Sequence, residues 1–554
     1  MGEPDRRFSF RGQPRNARAG DTVLSALSRE RLPLLRRSIQ YHRPQGPFCG
    51  IGHCAGCLVR VNGRPNVRAC RYEPNDGDRV TTENAWPSPS FDAFGAIGLL
   101  APNGVDTLHG LRRPAFATRL FQHLVRRLAG TGEPPDAGSE TALRAPAIER
   151  SCNVVVVGAG DVGRAVALEL VARGERPVVL ERELGPAPLE GAELLRATTA
   201  VFLPPPRETD PAPFSILAYR EPAQGVRLRA RKVVLATGSY DAPLLFRGND
   251  RPGVLSAAAA LSLSAPPRTS PFRRAVVVGG GPRAAQVLAR CGEQVEAVVA
   301  PGEVRPEVVG AAADLGIPLY PRSLLLRADG RRYVRSVRLR TRGGGASTTL
   351  PCDAVILAHR RLPVTQLFFQ AGAATEWRPN PGAYFPVVGP NGATSVRGLF
   401  AAGYSPEVPA PERRTHASTV ADAVLRETPP AAPSPSRAAR GAPTEFLGYY
   451  RELLRTRGHG RCVACPCVDV LVSELEEATT AGYRGIEVVK RYTSLGTGIC
   501  QGRYCLPDAL LLLSILENRP PEDVGYITQR PPVVVTPLAA LAALPPEPAP
   551  EATA

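Results

Sequence analysis

A chain of 554 residues has room for three or four domains at about 150 residues each, which excludes a single small module. Hydrophobic residues at 43% and charged residues at 21% are ordinary globular values and exclude a mainly disordered or fibrous chain. The formal charge of +17 raises nucleic acid or an anionic membrane as partners. However, all of the 68 basic residues except Lys232 and Lys490 are arginines, scattered along the chain; with no basic cluster interleaved with aromatics, nucleic-acid binding is not expected.

The N-terminus lacks the apolar stretch of a secretory signal. The longest apolar run, residues 509–516, falls far short of the ~20 residues of a membrane helix. The expectation is a soluble, cytoplasmic chain without a transmembrane segment, peripheral membrane association being left open. In a reducing compartment its twelve cysteines read as metal ligands or core thiols rather than disulfides.

Cys49, Cys54, Cys57 and Cys70 are spaced C-x4-C-x2-C-x12-C in FCGIGHCAGCLVRVNGRPNVRAC. The first three match the plant-type 2Fe–2S spacing, in which a glycine-containing loop folds over the cluster and thiolates ligate both irons. Gly50, Gly52 and Gly56 let backbone N–H groups approach the sulfides. LVRVNG alternates like a strand and turns at Asn62 and Gly63, so Cys70 returns on a hairpin. A zinc site more often pairs two C-x2-C knuckles and fits less well. His53 reads as a surface loop histidine, since a Rieske centre needs two. Over residues 5–85 the chain resembles the β-grasp ferredoxin module of amine-oxidising dehydrogenases.

Residues 131–146 are rich in Pro, Gly and Ser and read as a linker. NVVVVGAGDVGRAVALELVARGERPVVLERE follows, with a strand, a Gly-x-Gly-x-x-Gly turn, a helix and a second strand ending in an acid. Gly158 makes the turn, Gly160 admits a pyrophosphate and Gly163 lets the helix lie close to the strand. Glu181, 23 residues after Gly158, stands where a carboxylate accepts from ribose hydroxyls. FAD and NAD share this fingerprint. Residues 232–254, with Thr237 and Gly238, and GLFAAGY at 398–404, with Gly403, resemble later stretches of two-dinucleotide-binding flavoproteins, and that resemblance implies FAD. Two features depart from that family: Tyr404 replaces an acid that usually holds a ribityl hydroxyl, and the segment after Glu181 is short and lacks a Gly-Gly pair.

A second turn, AVVVGGGPRAAQ, places Gly279, Gly281 and Ala284 in the same pattern. The next strand ends without an acid or paired arginine, so NAD(P) binding there is left open. Cys152, Cys291 and Cys352 stand alone and read as buried thiols. Residues 428–444 form a second predicted linker. Beyond it, Cys465, Cys467, Cys500 and Cys505 are spaced C-x-C-x32-C-x4-C, too close at the first pair for a zinc knuckle. With GTGICQGRYC, this set resembles the bacterioferritin-associated-ferredoxin-like 2Fe–2S domain; Cys462 is treated as accessory.

The expected fold class is α/β: a two-lobed Rossmann-like flavoprotein with an N-terminal β-grasp ferredoxin domain and a small helical C-terminal four-cysteine domain. Expected boundaries are 1–90 for the ferredoxin, 91–150 for a connecting segment, 151–270 and 361–427 for the FAD lobe, and 271–360 for the second lobe. The four-cysteine domain is expected at 445–530, with a disordered tail at 531–554. This order resembles the electron-transferring subunits of heteromeric amine and amino-acid dehydrogenases, the family of hydrogen cyanide synthase, opine oxidase, hydroxyproline dehydrogenase and sarcosine oxidase alpha. More closely, it resembles their small ferredoxin and larger flavoprotein subunits fused. The resemblance implies FAD, two 2Fe–2S clusters, and a partner flavoprotein subunit that oxidises the C–N bond; an FMN at a subunit contact is left open. No acid–base motif stands out, so no catalytic side chain is nominated. The alternatives are an NAD(P)H:acceptor reductase using the second lobe, and a zinc-stapled, degenerate flavoprotein scaffold.

Overall fold

The computed structural model describes residues 6–29, 31–85, 87–92, 145–183, 185–207, 210–265, 270–343, 346–403, 410–426, 428–431 and 445–545. Most of the two predicted linkers, and Tyr404, lie outside the described residues.

Alternation builds the N-terminal module. Phe8, Phe10, Val59, Val61 and Val80 are buried on a five-stranded sheet ordered Gln13–Ala17, Arg6–Phe10, Arg79–Thr82, Leu58–Val61, Arg64–Arg68, as period-two patterning requires. Asn62 and Gly63 turn with φ of 49° and 81°, the left-handed pair that matches strand twist in a two-residue hairpin.

The unbroken valines at 154–157 are buried at the centre of a seven-stranded sheet. Its parallel part runs Glu193–Leu195, Val178–Leu180, Ile148–Val157, Gln224–Leu235 and Leu399–Ala401, and two antiparallel strands, Phe214–Arg220 and Thr198–Phe202, extend it. Continuous apolar runs suit strands covered on both faces. Between Gln224–Leu235 and Leu399–Ala401 the chain builds a second lobe. Five parallel strands, ordered Val254–Ser256, Ala354–Leu357, Ala275–Val278, Val295–Val299 and Leu319–Tyr320, carry the helices Pro282–Cys291 and Pro306–Asp314, beside a three-stranded antiparallel sheet.

The C-terminal module holds the helices Glu445–Leu454, Val472–Thr480, Ile486–Thr493 and Leu506–Glu517 and a short hairpin, Val463–Cys465 with Val470–Leu471. The apolar run 509–516 lies in the central helix of this module, most of it buried. Asp508 in its first turn forms a buried ion pair with Arg360 of the second lobe. No helix among the described residues is long and apolar enough to cross a membrane.

The expected disordered tail is corrected in its first part. Val533 donates its N–H to the Val201 carbonyl at 3.0 Å, and the helix Leu538–Ala542 buries Ala540 against Val201 and Tyr219. Small side chains let this segment lie on the sheet at Gly225, where a Cβ would come within 2.3 Å of the Ala540 carbonyl. Pro- and Ala-rich composition read as disorder because the docking surface is some 300 residues away.

Candidate redox site

The four N-terminal thiols are all buried, on a loop whose turns at Gly50 and Gly52 have φ of 66° and 73°. The Gly52 N–H points at Cys70 Sγ (3.2 Å), and those of His53 and Cys54 at Cys49 Sγ (3.4 and 3.3 Å). Burial opposes ionisation of Cys49, but hydrogen bonds from Cys54, Cys70 and the backbone hold its thiol well below the usual range; the bond with Cys70 lowers Cys57. Cys54 and Cys70 are pushed up, first by their bonds to Cys49. Sulfurs thus touch in the order 54, 49, 70, 57. Buried thiolates receiving backbone N–H bonds are the donor chemistry of a 2Fe–2S centre, and the residues present fit that group.

The C-terminal set repeats the design. Its four thiols are buried and touch in the order 505, 465, 467, 500: hydrogen bonds from Cys467 and Cys505 lower Cys465, and one from Cys467 lowers Cys500. Bonds to Cys465 push up Cys467 and Cys505. A Cβ at Gly498 would lie 2.4 Å from Cys467 Cβ, so glycine there admits the first pair. Cys462 stands apart, pushed up to about 12 by burial. Burial also raises Cys152 to about 11 and Cys352 to about 12. Among the described residues no three His, Cys, Asp or Glu side chains are arranged as a single-ion site requires.

A cavity of about 440 Å³ opens on the first glycine turn. Gly158, Gly160, Glu181, Thr237 and Gly238 all line it. Gly158 has φ of 105°, and a Cβ there would lie 2.3 Å from the Ala236 carbonyl; one at Gly163 would lie 2.0 Å from the Gly158 carbonyl; one at Gly160 would meet nothing within 4 Å. Glycine is thus required at the first and third positions for packing, while the second faces open space at the N-terminus of the helix Asp161–Ala172, where a phosphate is favoured. Glu181 accepts from the N–H groups of Ala159 (2.7 Å) and Glu183 (2.8 Å). Thr237 Oγ1 donates to the Val364 carbonyl at 2.8 Å. Gly403, with φ of 82°, lies against Val162. This cradle fits a dinucleotide.

The cavity also has walls that sequence reading missed. Gly52, His53, Arg68 and Arg71 reach it from the N-terminal module and Arg503 from the C-terminal one. Arg71 bonds the Glu183 carboxylate and the Arg182 carbonyl, and Arg182 meets His53 Nε2. His53 is therefore not a surface histidine: it is 7% exposed, and burial with Arg503, Arg182, Arg68 and Arg71 around it holds it well below its usual pKa. The one signal was adjacency, Arg71 following Cys70 and Arg503 lying between Cys500 and Cys505.

At the second turn a Cβ on Gly279 would lie 2.5 Å from the Ala358 carbonyl, and Gly281 is open. The backbone at 303–305 packs on this turn, Arg305 donating to the Gly280 carbonyl at 2.8 Å. Glu445, from the C-terminal module, sits against Gly302.

Comparison with known proteins agrees with this layout. The family described as 2Fe-2S iron-sulfur cluster binding domain matches residues 6–85, Pyridine nucleotide-disulphide oxidoreductase matches 210–418, and Sarcosine oxidase A3 domain matches 463–544. The HcnA component of hydrogen cyanide synthase from Pseudomonas aeruginosa is 40% identical over 15% of this chain and 80% of its own. Sarcosine oxidase alpha of Rhizobium meliloti is 27% identical over 95% of this chain, and opine oxidase A of Agrobacterium tumefaciens 25% identical over 71%. The chain belongs to this sarcosine oxidase alpha, opine oxidase A and HcnA family. Its matched domains are of 2Fe–2S and FAD-linked oxidoreductase type. It spans 56% of the length of the sarcosine oxidase relative and 92% of that of the opine oxidase relative. The fold matches L-proline dehydrogenase from P. horikoshii with a TM-score of 0.64 at 19% identity, over 97% of this chain and 98% of that one.

Proposed function

We propose that the chain is the electron-transferring subunit of an amine or amino-acid dehydrogenase, with the C–N bond oxidised on a partner flavoprotein subunit. When bound, FAD accepts electrons in pairs and iron–sulfur centres carry them singly, which links substrate oxidation to a one-electron acceptor. Cys49, Cys54, Cys57 and Cys70 hold one 2Fe–2S centre, and Cys465, Cys467, Cys500 and Cys505, in a small helical domain, hold a second. Gly158, Gly160, Gly163 and Gly403 shape the FAD cradle, Glu181 takes ribose hydroxyls, and Thr237 and Gly238 close its far side.

The observation that carries this reading is a cavity on the first glycine turn walled by residues of both cysteine loops, Gly52 and His53 from one and Arg503 from the other. Its arginine-lined wall suits an anionic dinucleotide, and its contact with the N-terminal cysteine loop brings that loop to the cavity's edge. Among the described residues no side chain in the cavity pairs a base with a nucleophile, so amine chemistry is assigned to the partner. The second lobe carries the alternative reading, NAD(P) at Gly279 and Gly281, with Gly281 open, the backbone at 303–305 packed on Gly280 and Glu445 set against Gly302.

The deciding experiment is metal, sulfide and flavin analysis of anaerobically purified protein, with its visible spectrum. The expected content is one flavin with about four iron and four sulfide per chain, and little amine turnover without a partner. Zinc without iron, or strong turnover by the isolated chain, would refute it. Rapid flavin bleaching by NADH would instead support a reductase working through the second lobe.

A further inference from the structure

The two cysteine sets are far apart in sequence yet share one wall. Phe48, next to Cys49, meets Tyr504, next to Cys505, edge to face at 5.4 Å, and Tyr504 meets Tyr240 in the same way at 5.2 Å. A small cavity of about 60 Å³ is lined by Cys54, Ala55 and Gly56 from one set and by Ala464, Pro466 and Cys467 from the other. Gln45 Nε2 crosses this boundary to the Pro466 carbonyl at 2.9 Å.

Arg36 lies in this wall, 4% exposed. Its strand pairs with Gln45, and its Nη1 donates to the carbonyl of Ala55, the residue after Cys54, at 3.3 Å. Burial pulls the pKa of the guanidinium down, and the surrounding Cys467, Asp469, Glu83 and Cys54 side chains act the other way. Asp469 and Glu83 have further cationic partners in Arg43 and Arg60.

We propose that Arg36 is a shared positioning residue of both cysteine sets, a fixed positive charge that favours the reduced state of each and keeps their potentials in step. This rests on the two-centre reading above. A 2Fe–2S centre with four thiolates carries a net charge of about −2, and reduction adds one more negative charge. A guanidinium that stays protonated even when buried therefore stabilises the reduced form of any centre it faces. Because it bonds the carbonyl beside Cys54 and pairs with Gln45, which reaches the carbonyl beside Cys467, its removal acts on both sets at once.

The test is a redox titration followed by electron paramagnetic resonance on the full-length holoprotein, comparing wild type with Arg36→Gln and Arg36→Lys. Arg36→Gln is expected to weaken reduction of both centres about tenfold, ~59 mV for a one-electron couple, and Arg36→Lys to restore most of it. Movement of one potential alone, or of neither, overturns the proposal. Should Arg36→Gln fail to assemble, the fully reduced wild type decides: spin–spin broadening between the two signals supports a shared wall, and two sharp, independent signals overturn it. Wild type holding only about two iron per chain defeats the two-centre reading itself, and is told apart by analysis before any variant is made.

Discussion

Gly50→Ala is the sharpest probe of how the cysteine loop is seated. Gly50 has φ of 66°, and a Cβ there would stand 2.7 Å from Ala259 Cα and 3.0 Å from its Cβ, on the buried helix Ala257–Leu263. The left-handed conformation costs an L-residue roughly 1–2 kcal/mol. Forcing a methyl into backbone that cannot yield adds roughly 1–3 kcal/mol of overpacking, for a total of about 2–5 kcal/mol. Gly12→Ala supplies the control, since Gly12 has φ of 75° but nothing within 4 Å of the added methyl, and only the first ~1–2 kcal/mol applies. Denaturant midpoints of the two variants, with iron content of each, give the difference. If Gly50→Ala is no less stable than Gly12→Ala, the close approach of the loop to the second lobe is refuted.

Gly160→Ala should leave stability within about 0.5 kcal/mol, because φ at Gly160 is −68° and nothing is near its Cβ; flavin retention should fall about tenfold, read by dialysis and absorbance, if the open space is where the pyrophosphate lies. Unaltered flavin content would place the ligand elsewhere. Glu474 is pushed up to about 7 by burial, against the Leu471 N–H and Arg43. Its folded-state pKa exceeds the unfolded one, so this group contributes stability below about pH 4.5 that is lost as pH rises through about 7, ~1–3 kcal/mol after allowing for partial exposure. Glu474→Gln should flatten that slope in urea melts at pH 5 and 7.5, and an unchanged slope would assign it to other groups. Asp469→Ala strands the N–H groups of Gln40 and Tyr41 and one side of Arg43, now bonded at 2.8, 3.0 and 2.6 Å. Loss of that buried carboxylate should cost about 3–5 kcal/mol and speed hydrogen exchange at both amides; unchanged exchange would deny the contact its role.

What was legible in the sequence is what the chain specifies over short spans. Cysteine spacing and the offsets Gly158, Gly160, Gly163 and Glu181 are set by one turn and its flanking elements, so the cradle and both thiol sets could be listed from residues alone. The hairpin at Asn62 and Gly63 is local in the same sense. His53, Arg71, Arg182 and Arg503 could not be read that way, because they meet only where three modules converge, His53 and Arg182 standing 129 positions apart. Glu445 against Gly302 is another case, since the two come from different modules. The misjudged tail shows the converse, since local composition suggested disorder while Gly225 and Val201 had prepared a surface for it.

The seating of the N-terminal 2Fe–2S-type module is fixed by the rest of the chain. It is held from three directions: Gly50 on the helix Ala257–Leu263 of the second lobe, Arg71 on Glu183 of the first lobe, and Gln40, Tyr41 and Arg43 on the fully buried Asp469 of the C-terminal module. Contacts to three separate parts of the chain hold the module in place. Undocking would also leave a buried carboxylate and two backbone N–H groups without partners, at roughly 1–3 kcal/mol for each unsatisfied group. The HcnA relative corresponds to the ferredoxin module over 80% of its own length, whereas here that module is continuous with the rest of the chain, which makes docking intramolecular and concentration-independent. The separation between cysteine sets and cavity is therefore a property of the fold rather than of diffusion, and a change at any one of the three contacts should alter coupling within the chain before it alters the chemistry of either set.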